Sequence, residues 1–174
     1  MTNKLQIRET TSSDIAQILA LYPQAFPDEE LRPVVKALLE EIPGILSLAT
    51  FDGDRLVAHV IFTICGTKER DRAGGLLAPL GVIPAYQRQG LGFSLVRDGL
   101  ERLEKTGTHQ VFVLGDPTYY RRFGFLPEKK VLAPYPLPEE YGDAWQSMIL
   151  MGRAPLDAGR LLLPEPWMDP ALWS

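Results

Sequence analysis

The stretch with the most chemical content runs Leu80-Gly81-Val82-Ile83-Pro84-Ala85-Tyr86-Gln87-Arg88-Gln89-Gly90-Leu91-Gly92. An apolar run ends at Pro84, a short polar loop follows, and Gly90 and Gly92 open an amphipathic segment. Backbone N–H groups at a helix start point one way and carry partial positive charge. They make an anion site, most naturally for phosphate. Glycine there puts no side chain between ligand and backbone. Arg88 adds a positive charge beside it. The next residues, Phe93 and Ser94, bring no lysine, so this is not a nucleoside-triphosphate loop of the Gly-Lys-Ser/Thr kind. Leu95 stands where a dinucleotide fingerprint has its third small residue. From the residues alone, a phosphate cradle and a plain glycine-rich helix start both stay open.

The elements that must position this loop follow from periodicity. Leu5 and Ile7 alternate with polar residues as in a half-buried strand. Thr11-Ser12-Ser13-Asp14 fits a helix cap, and Ile15, Ile18, Leu19, Tyr22 and Phe26 then give one apolar helical face. A second helical pattern after Asp28 carries Leu31, Val34, Val35, Leu38, Leu39 and Ile42, with Pro33 in its first turn. Residues 45–51 and 56–64 predict a hairpin closed by Asp52-Gly53-Asp54. A polar loop spans 67–75. The apolar run 76–83 predicts a central strand buried on both faces.

A helix follows over about 90–105, stopped at Gly107, then a short strand over 111–114. Residues 117–123 read as one short helix, with Pro117 at its first position, and 145–151 as a further strand. The order β-α-α-β-β-β-α-β-α-β favours a mixed α/β sheet. The segment 76–114 is a βαβ unit, expected to cross over right-handed.

Composition bounds the rest. At 174 residues the chain is about one domain long. Hydrophobic residues are 45% and charged residues 23%, an ordinary globular balance. Net charge is −4, against a general nucleic-acid binder. Cys65 is the single cysteine, so an internal disulfide and a multi-cysteine metal cage are excluded. It sits at a strand end with no neighbouring base in sequence, as a small buried hydrophobe would. The first eight residues lack a leader's apolar core, and no run approaches the ~18 apolar residues of a membrane span. The expectation is a cytoplasmic protein that engages neither membrane nor nucleic acid.

The loop and a second motif together resemble the GNAT superfamily of N-acetyltransferases. Its central signature, Gln/Arg-x-x-Gly-x-Gly/Ala between a strand and a helix, is matched by Gln87, Gly90 and Gly92. Its later signature, Tyr-x-x-x-Gly-Phe, is matched by Tyr120, Gly124 and Phe125. The wider string from Leu114 to Phe125 is similar to the bacterial YhbS-like branch of that superfamily. The signatures cover about residues 76–125.

The resemblance implies an α/β fold of the GNAT type: a mixed, mostly antiparallel twisted sheet with two splayed central parallel strands, flanked by helices. It implies a single acetyltransferase domain over 1–174, with a Pro- and Trp-containing C-terminal extension from about residue 152. It implies acetyl-CoA as co-substrate and no metal. Amides of Gln87, Arg88, Gln89, Gly90, Leu91 and Gly92, with Phe93 beside them, would hold the pyrophosphate. Backbone at Leu80, Gly81 and Val82 would pair with the pantetheine arm. Tyr120 would be the general acid that protonates the leaving sulfur, a role open to a phenol because it is protonated at neutral pH. The acceptor would be a primary amine of a small molecule, peptide or protein. A non-catalytic acyl-CoA-binding or sensing module is the alternative.

Two departures from the family stand out. The strand before the loop, Leu76-Leu77-Ala78-Pro79-Leu80, has no carboxylate where many relatives carry a glutamate base. Gly115-Asp116 occupies the region where many carry an asparagine. Glu69, Asp71, His59, His109 and Asp116 are the remaining candidate bases, each also readable as a structural or solvated residue, and a water relay fits equally. Arg121 and Arg122 fit either a solvated helix face or contact with a phosphate or carboxylate. Asp28-Glu29-Glu30 and Glu40-Glu41, around the second helical pattern, fit an acidic acceptor rim or simply the acidic residues that favour helix starts. The tail's tryptophans and prolines fit three roles: capping the acceptor site, packing in a homodimer, or packing along the edge of one subunit.

Overall fold

The computed structural model describes residues 5–174, so the reading of the first four residues as part of a leaderless start lies outside the described residues. The strands are β1 (Leu5–Glu9), β2 (Ile45–Asp52), β3 (Arg55–Cys65), β4 (Gly74–Val82), β5 (Gln110–Leu114), β6 (Leu126–Pro127), β7 (Val131–Leu132), β8 (Trp145–Ile149) and β9 (Gly159–Arg160). The helices are α1 (Ile15–Ala25), α2 (Arg32–Glu41), α3 (Leu91–Lys105) and α4 (Pro117–Tyr120). A seven-stranded sheet runs β1-β2-β3-β4-β5-β8-β6, and β7 and β9 form a separate parallel pair. Strands β1 and β2, β5 and β8, and β6 and β8 pair antiparallel, whereas β4 and β5 are parallel. The β4–β5 ladder covers Gly74–Leu76 against Gln110–Phe112, although β4 runs on to Val82 and β5 to Leu114. This is the mixed, mostly antiparallel sheet with central parallel strands and flanking helices that the motifs imply.

By residue contacts the chain divides into two compact units, Met1–Phe62 with Pro79–Gly99, and Thr63–Ala78 with Leu100–Ser174. In the first unit, helices cover both faces of β3. Tyr22 of α1 bonds to His59, and Gly99 of α3 lies against the Phe62 ring. His59 and Phe62 are three residues apart on a strand, so they point to opposite faces. Burial on both faces explains why β3 reads as a near-continuous apolar run. The start of α1 is fixed by Asp14, whose carboxylate accepts from Thr11 N–H at 2.8 Å and from Arg8 at 2.8 and 3.1 Å. Arg8 and that hydrogen bonding hold the Asp14 carboxyl below its usual range. Pro33 occupies the first turn of α2, where its missing N–H costs nothing.

In the second unit the tail folds back along the same chain. Gly66 and Leu162 form a bridge, and the Trp167 and Trp173 indoles donate to Thr63 Oγ1 and Trp167 O at 3.1 and 2.9 Å. Trp173 packs edge-on to Trp145 and Trp167, which gives the tryptophans the third of their three expected roles, packing within one subunit.

Three boundaries differ from the periodicity. Gly74 and Gly75 belong to β4, because they pair with Gln110 and Val111 where little space exists for side chains. The expected helix over 117–123 breaks into α4 and a 3-10 turn at Arg121–Phe123, ended by Gly124 at φ 110°. The last strand stops at Ile149, where its partner β5 runs out at Gln110. Among the described residues, no helix is long and apolar enough to cross a membrane.

Gly99 is what seats α3 on β3. A Cβ there would overlap Phe62, a fully buried ring. Gly99→Ala is expected to lower unfolding free energy by about 1–3 kcal/mol through overpacking, read by chemical denaturation.

Candidate active site

In the first unit, β4 delivers the chain to the loop. Ile83 N–H donates to Val57 O at 3.0 Å, and Pro84–Tyr86 form one 3-10 turn. Tyr86 is fastened to the β2–β3 hairpin: its hydroxyl donates to Asp52 Oδ2, and the Arg55 guanidinium lies 5.7 Å from its ring centre. Gln87 then reaches back, its side-chain amide donating to Val82 O at 2.9 Å. Gln89 does the same to Ala85 O at 3.2 Å. Between and after them, Arg88 and Gly90 adopt φ of 62° and 85°. Left-handed residues of this kind also occur in anion-binding nests. Space around Gly90 is open: nothing lies within 4 Å of where a Cβ would be.

Helix α3 begins at Leu91, and Ser94 N–H is bonded to Gly90 O at 3.0 Å. Leu91 and Gly92 therefore lie in the turn whose amides have no intrahelical carbonyl to reach. Arg97 sits 5.8 Å from the Phe93 ring centre, so that ring carries a cation on its face. Side chains of Gln87, Arg88 and Gln89 are exposed, as is Gly90. Of the strand residues, Gly81 is buried under α1. A Cβ there would come 2.8 Å from Leu21 Cδ2 and 3.2 Å from Tyr22 Cε1, while Leu80 and Val82 are half-buried. This unit can present main-chain donors and one arginine to a phosphate group.

In the second unit, Tyr120 ends α4. Asp116 caps that helix by accepting from Thr118 N–H at 2.9 Å, and Tyr120 N–H donates to Asp116 O at 3.0 Å. The Tyr120 ring lies among Tyr119, Phe125 and Phe123, with centres at 5.0, 5.7 and 6.2 Å. Burial pushes its hydroxyl above the ordinary phenol range, and Tyr119 and Asp116 add to that. A neutral phenol at working pH is the result, and it is a proton donor.

The candidate bases separate clearly. His59 is fully buried, with Nδ1 2.6 Å from Tyr22 Oη and Nε2 2.7 Å from Ser47 Oγ. Burial brings it down to about 3, so it is neutral. Ser47 Oγ also accepts from Thr10 Oγ1 at 2.6 Å. The row Tyr22–His59–Ser47–Thr10 was hidden from sequence patterning because its members come from four separate segments. Thr10 and Ser47, with Glu9, Leu39, Glu40 and Ile45, line a cavity of about 540 Å³. Glu40 thus reaches a cavity wall as an acidic rim would, whereas Glu30 pairs with Arg32 at 2.6 Å. His109 lies 3.1 Å from Arg70 Nη2, Asp116 is spent as a cap, and Glu69 and Asp71 are exposed loop residues. Arg121 is exposed, and Arg122 lies 5.6 Å from the Tyr119 ring centre. The Cys65 thiol is buried and pushed up by that burial, the opposite of an activated nucleophile. Among the described residues no group of His, Cys, Asp or Glu is placed to hold a metal ion.

A sheet with this strand order and an amide-lined turn between β4 and α3 defines an acyltransferase architecture. The acetyltransferase (GNAT) family matches residues 14–125, and the chain belongs to that family. It is 38% identical over 165 residues to YjhQ of Escherichia coli strain K12, an uncharacterized N-acetyltransferase, covering 90% of this chain and 91% of that one. It is 35% identical over 122 residues to the uncharacterized N-acetyltransferase YhbS of the same strain, covering 68% and 72%. A crystal structure of Escherichia coli YhbS in complex with CoA superposes with a TM-score of 0.82 at 27% identity, covering 97% of this chain and 94% of that one. A GNAT family acetyltransferase from Brucella melitensis in complex with acetyl-CoA shares the fold, with a TM-score of 0.75 at 24% identity over 95% and 99%.

His59 ties stability to pH with a defined sign. Its folded value, about 3, lies below the ordinary 6.5, so below pH 6.5 the unfolded chain takes up a proton that the folded chain refuses. Stability is therefore intact above that pH and falls by up to about 1.4 kcal/mol per unit below it. Urea unfolding at pH 7.5, 6.5 and 5.5 should show this fall in the wild type and a flatter profile in His59→Gln. Parallel profiles would remove the assignment.

Proposed function

We propose that the protein transfers an acetyl group from acetyl-CoA directly to a primary amine of a small molecule or of a peptide or protein. The observation that carries this reading is the turn at residues 87–92: two left-handed residues, three side-chain anchors and a helix start, with open space over Gly90. Its amides from Gln87 to Gly92, with Arg88 and Phe93 beside them, take the pyrophosphate. Backbone at Leu80, Gly81 and Val82 takes the pantetheine arm as an added strand edge would. Acetyl-CoA supplies the acyl group already activated as a thioester. Family membership and the CoA-bound relative support this choice of co-substrate.

The residues then divide the work. The turn and strand hold the donor still, so that much of the rate gain is positional. A neutral amine nitrogen attacks the thioester carbonyl carbon. The C–N bond forms, the C–S bond breaks, and the Tyr120 hydroxyl gives its proton to the departing sulfur. A strand N–H steadies the carbonyl oxygen as charge builds there. The amine's surplus proton leaves through water, since β4 carries no carboxylate between Leu76 and Leu80. Tyr120 regains its proton from solvent before the next turnover. We place the activity in the cytoplasm, with residues 1–174 serving it as one catalytic domain that needs no metal.

Isotope-labelled acetyl-CoA incubated with pooled primary amines should yield labelled N-acetyl product. Tight CoA binding with no product from any pool would favour the sensing-module reading. Tyr120→Phe should lower kcat by about 100-fold or more, with CoA affinity unchanged by calorimetry. Gly90→Val places a β-branched residue at φ 85° and should weaken CoA binding at least about 10-fold, leaving Tyr120 chemistry untouched in whatever complex forms.

A further inference from the structure

We propose that Gly115 is a positioning residue for Tyr120: the missing side chain at 115 sets where the phenol ring lies and therefore where its hydroxyl delivers a proton. The inference rests on the general-acid reading of Tyr120 given above and adds the feature of the fold that fixes its geometry.

The geometry is tight on every side. A Cβ built on Gly115 would stand 2.5 Å from Tyr120 Cε2, 3.1 Å from Cδ2 and 3.5 Å from Cζ, the carbon that carries the hydroxyl. The ring edge next to the hydroxyl therefore lies against the bare Cα of residue 115. The same ring is packed by Tyr119, Phe123 and Phe125, and Phe125 is itself almost fully buried. Any shift of the ring must therefore disturb a set of packed aromatic neighbours.

The backbone at 115 cannot retreat either. Gly115 N–H donates to Ala144 O at 3.0 Å, and Gly115 O accepts from the side-chain amide of Gln146 at 3.1 Å. Gln146 is buried, and its amide also donates to Ala144 O at 3.1 Å. Strand β8, which carries Gln146, is paired to β5 along its length, with Leu114 opposite Trp145. Beyond residue 115 the chain is closed again by the Asp116 cap on Thr118 and by the bond from Tyr120 N–H to Asp116 O. Six residues, 115–120, thus form an arc whose two ends meet, glycine against ring.

What makes glycine necessary here is space and not backbone conformation. The glycines at positive φ are Gly44, Gly53, Gly90, Gly107, Gly124, Gly142, Gly152 and Gly159, and Gly115 is not one of them. Its backbone is one that alanine adopts without strain. A methyl group at 115 therefore tests the ring contact alone. The hydroxyl belongs to the same group of atoms that must move, with one bond from Cζ to carry the shift outward. Displacement of a reacting group by about 1 Å costs on the order of 100-fold in rate.

The test is a double-mutant cycle on kcat, using acetyl-CoA and the labelled-product assay with a pool of primary amines. Gly115→Ala should lower kcat about 10-fold or more while the KM for acetyl-CoA stays within about twofold. In the Tyr120→Phe background, which keeps the ring and removes the proton, adding Gly115→Ala should cost no more than about twofold further. Equal proportional losses in both backgrounds would overturn the proposal, because Gly115 would then act on something other than the phenol proton. A fully active Tyr120→Phe would instead sink the general-acid reading itself. If Gly115→Ala folds poorly, the melting temperature is measured in the Tyr120→Ala background, where the ring is gone. Recovery of the loss there upholds the ring contact, and an undiminished loss overturns it.

Discussion

Two residues held in left-handed backbone, Arg88 and Gly90, are the constraint on which the first unit turns. Glycine adopts this conformation freely, but Arg88 is a non-glycine residue and costs on the order of 1–2 kcal/mol there. Strain of that size persists only where surroundings over-determine it. Here they do. Tyr86 is tied to Asp52, Gln87 to Val82 O and Gln89 to Ala85 O, so the residues flanking Arg88 are each fixed by their own side chains. The glutamines are therefore not decorative polar loop residues. They spend their side-chain amides on the loop's own carbonyls, and the Gln87 N–H itself donates to Pro84 O at 3.3 Å.

A second theme is the use of glycine as spacing. Gly81 lets α1 come down onto β4, Gly99 lets α3 come down onto β3, and Gly115 lets the Tyr120 ring lie on the chain leaving β5. None of the three needs a positive φ. Each removes a Cβ where two elements approach more closely than a side chain permits. The buried row Tyr22–His59–Ser47–Thr10 serves the same end by polar means. It links α1, β3 and β2 through hydrogen bonds of 2.6 to 2.7 Å, and burial keeps the imidazole neutral. Bonding both ring nitrogens to hydroxyls satisfies a group that would otherwise be costly to bury.

The sequence made some of this legible and not the rest, for physical reasons. The turn at Gly90 and the start of α3 are legible because a tight turn into a helix depends on residue type at fixed local spacing. Tyr120 was visible because its motif is contiguous with Gly124 and Phe125. The β2–β3 hairpin and α3 were visible because burial imposes a period on residues adjacent in sequence. By contrast, the assignment of Gly74 and Gly75 to β4 depends on Gln110 and Val111, far along the chain. The seat of Trp167 depends on Thr63, more than a hundred residues away. Periodicity says that a face is buried and is silent about its partner. That is why His59 read as a candidate base in sequence and as a satisfied core histidine once Tyr22 and Ser47 were in place beside it.

The same distinction bears on the general-acid role proposed for Tyr120, whose neighbours are aromatic. An imidazolium in that cage would carry its charge before the reaction begins, at the cost of burying it. A phenol is neutral when it waits and becomes charged only as its proton leaves. A free phenol, at about 10, already lies above a free thiol, at about 8.5, and burial raises Tyr120 further, so its proton stays on oxygen in the resting site. The hydrophobic cage is thus not a neutral container for Tyr120. By penalising the phenolate it raises the cost of giving up the proton, and Gly115 and Phe125 both lie against the ring whose hydroxyl would deliver it under the proposed role.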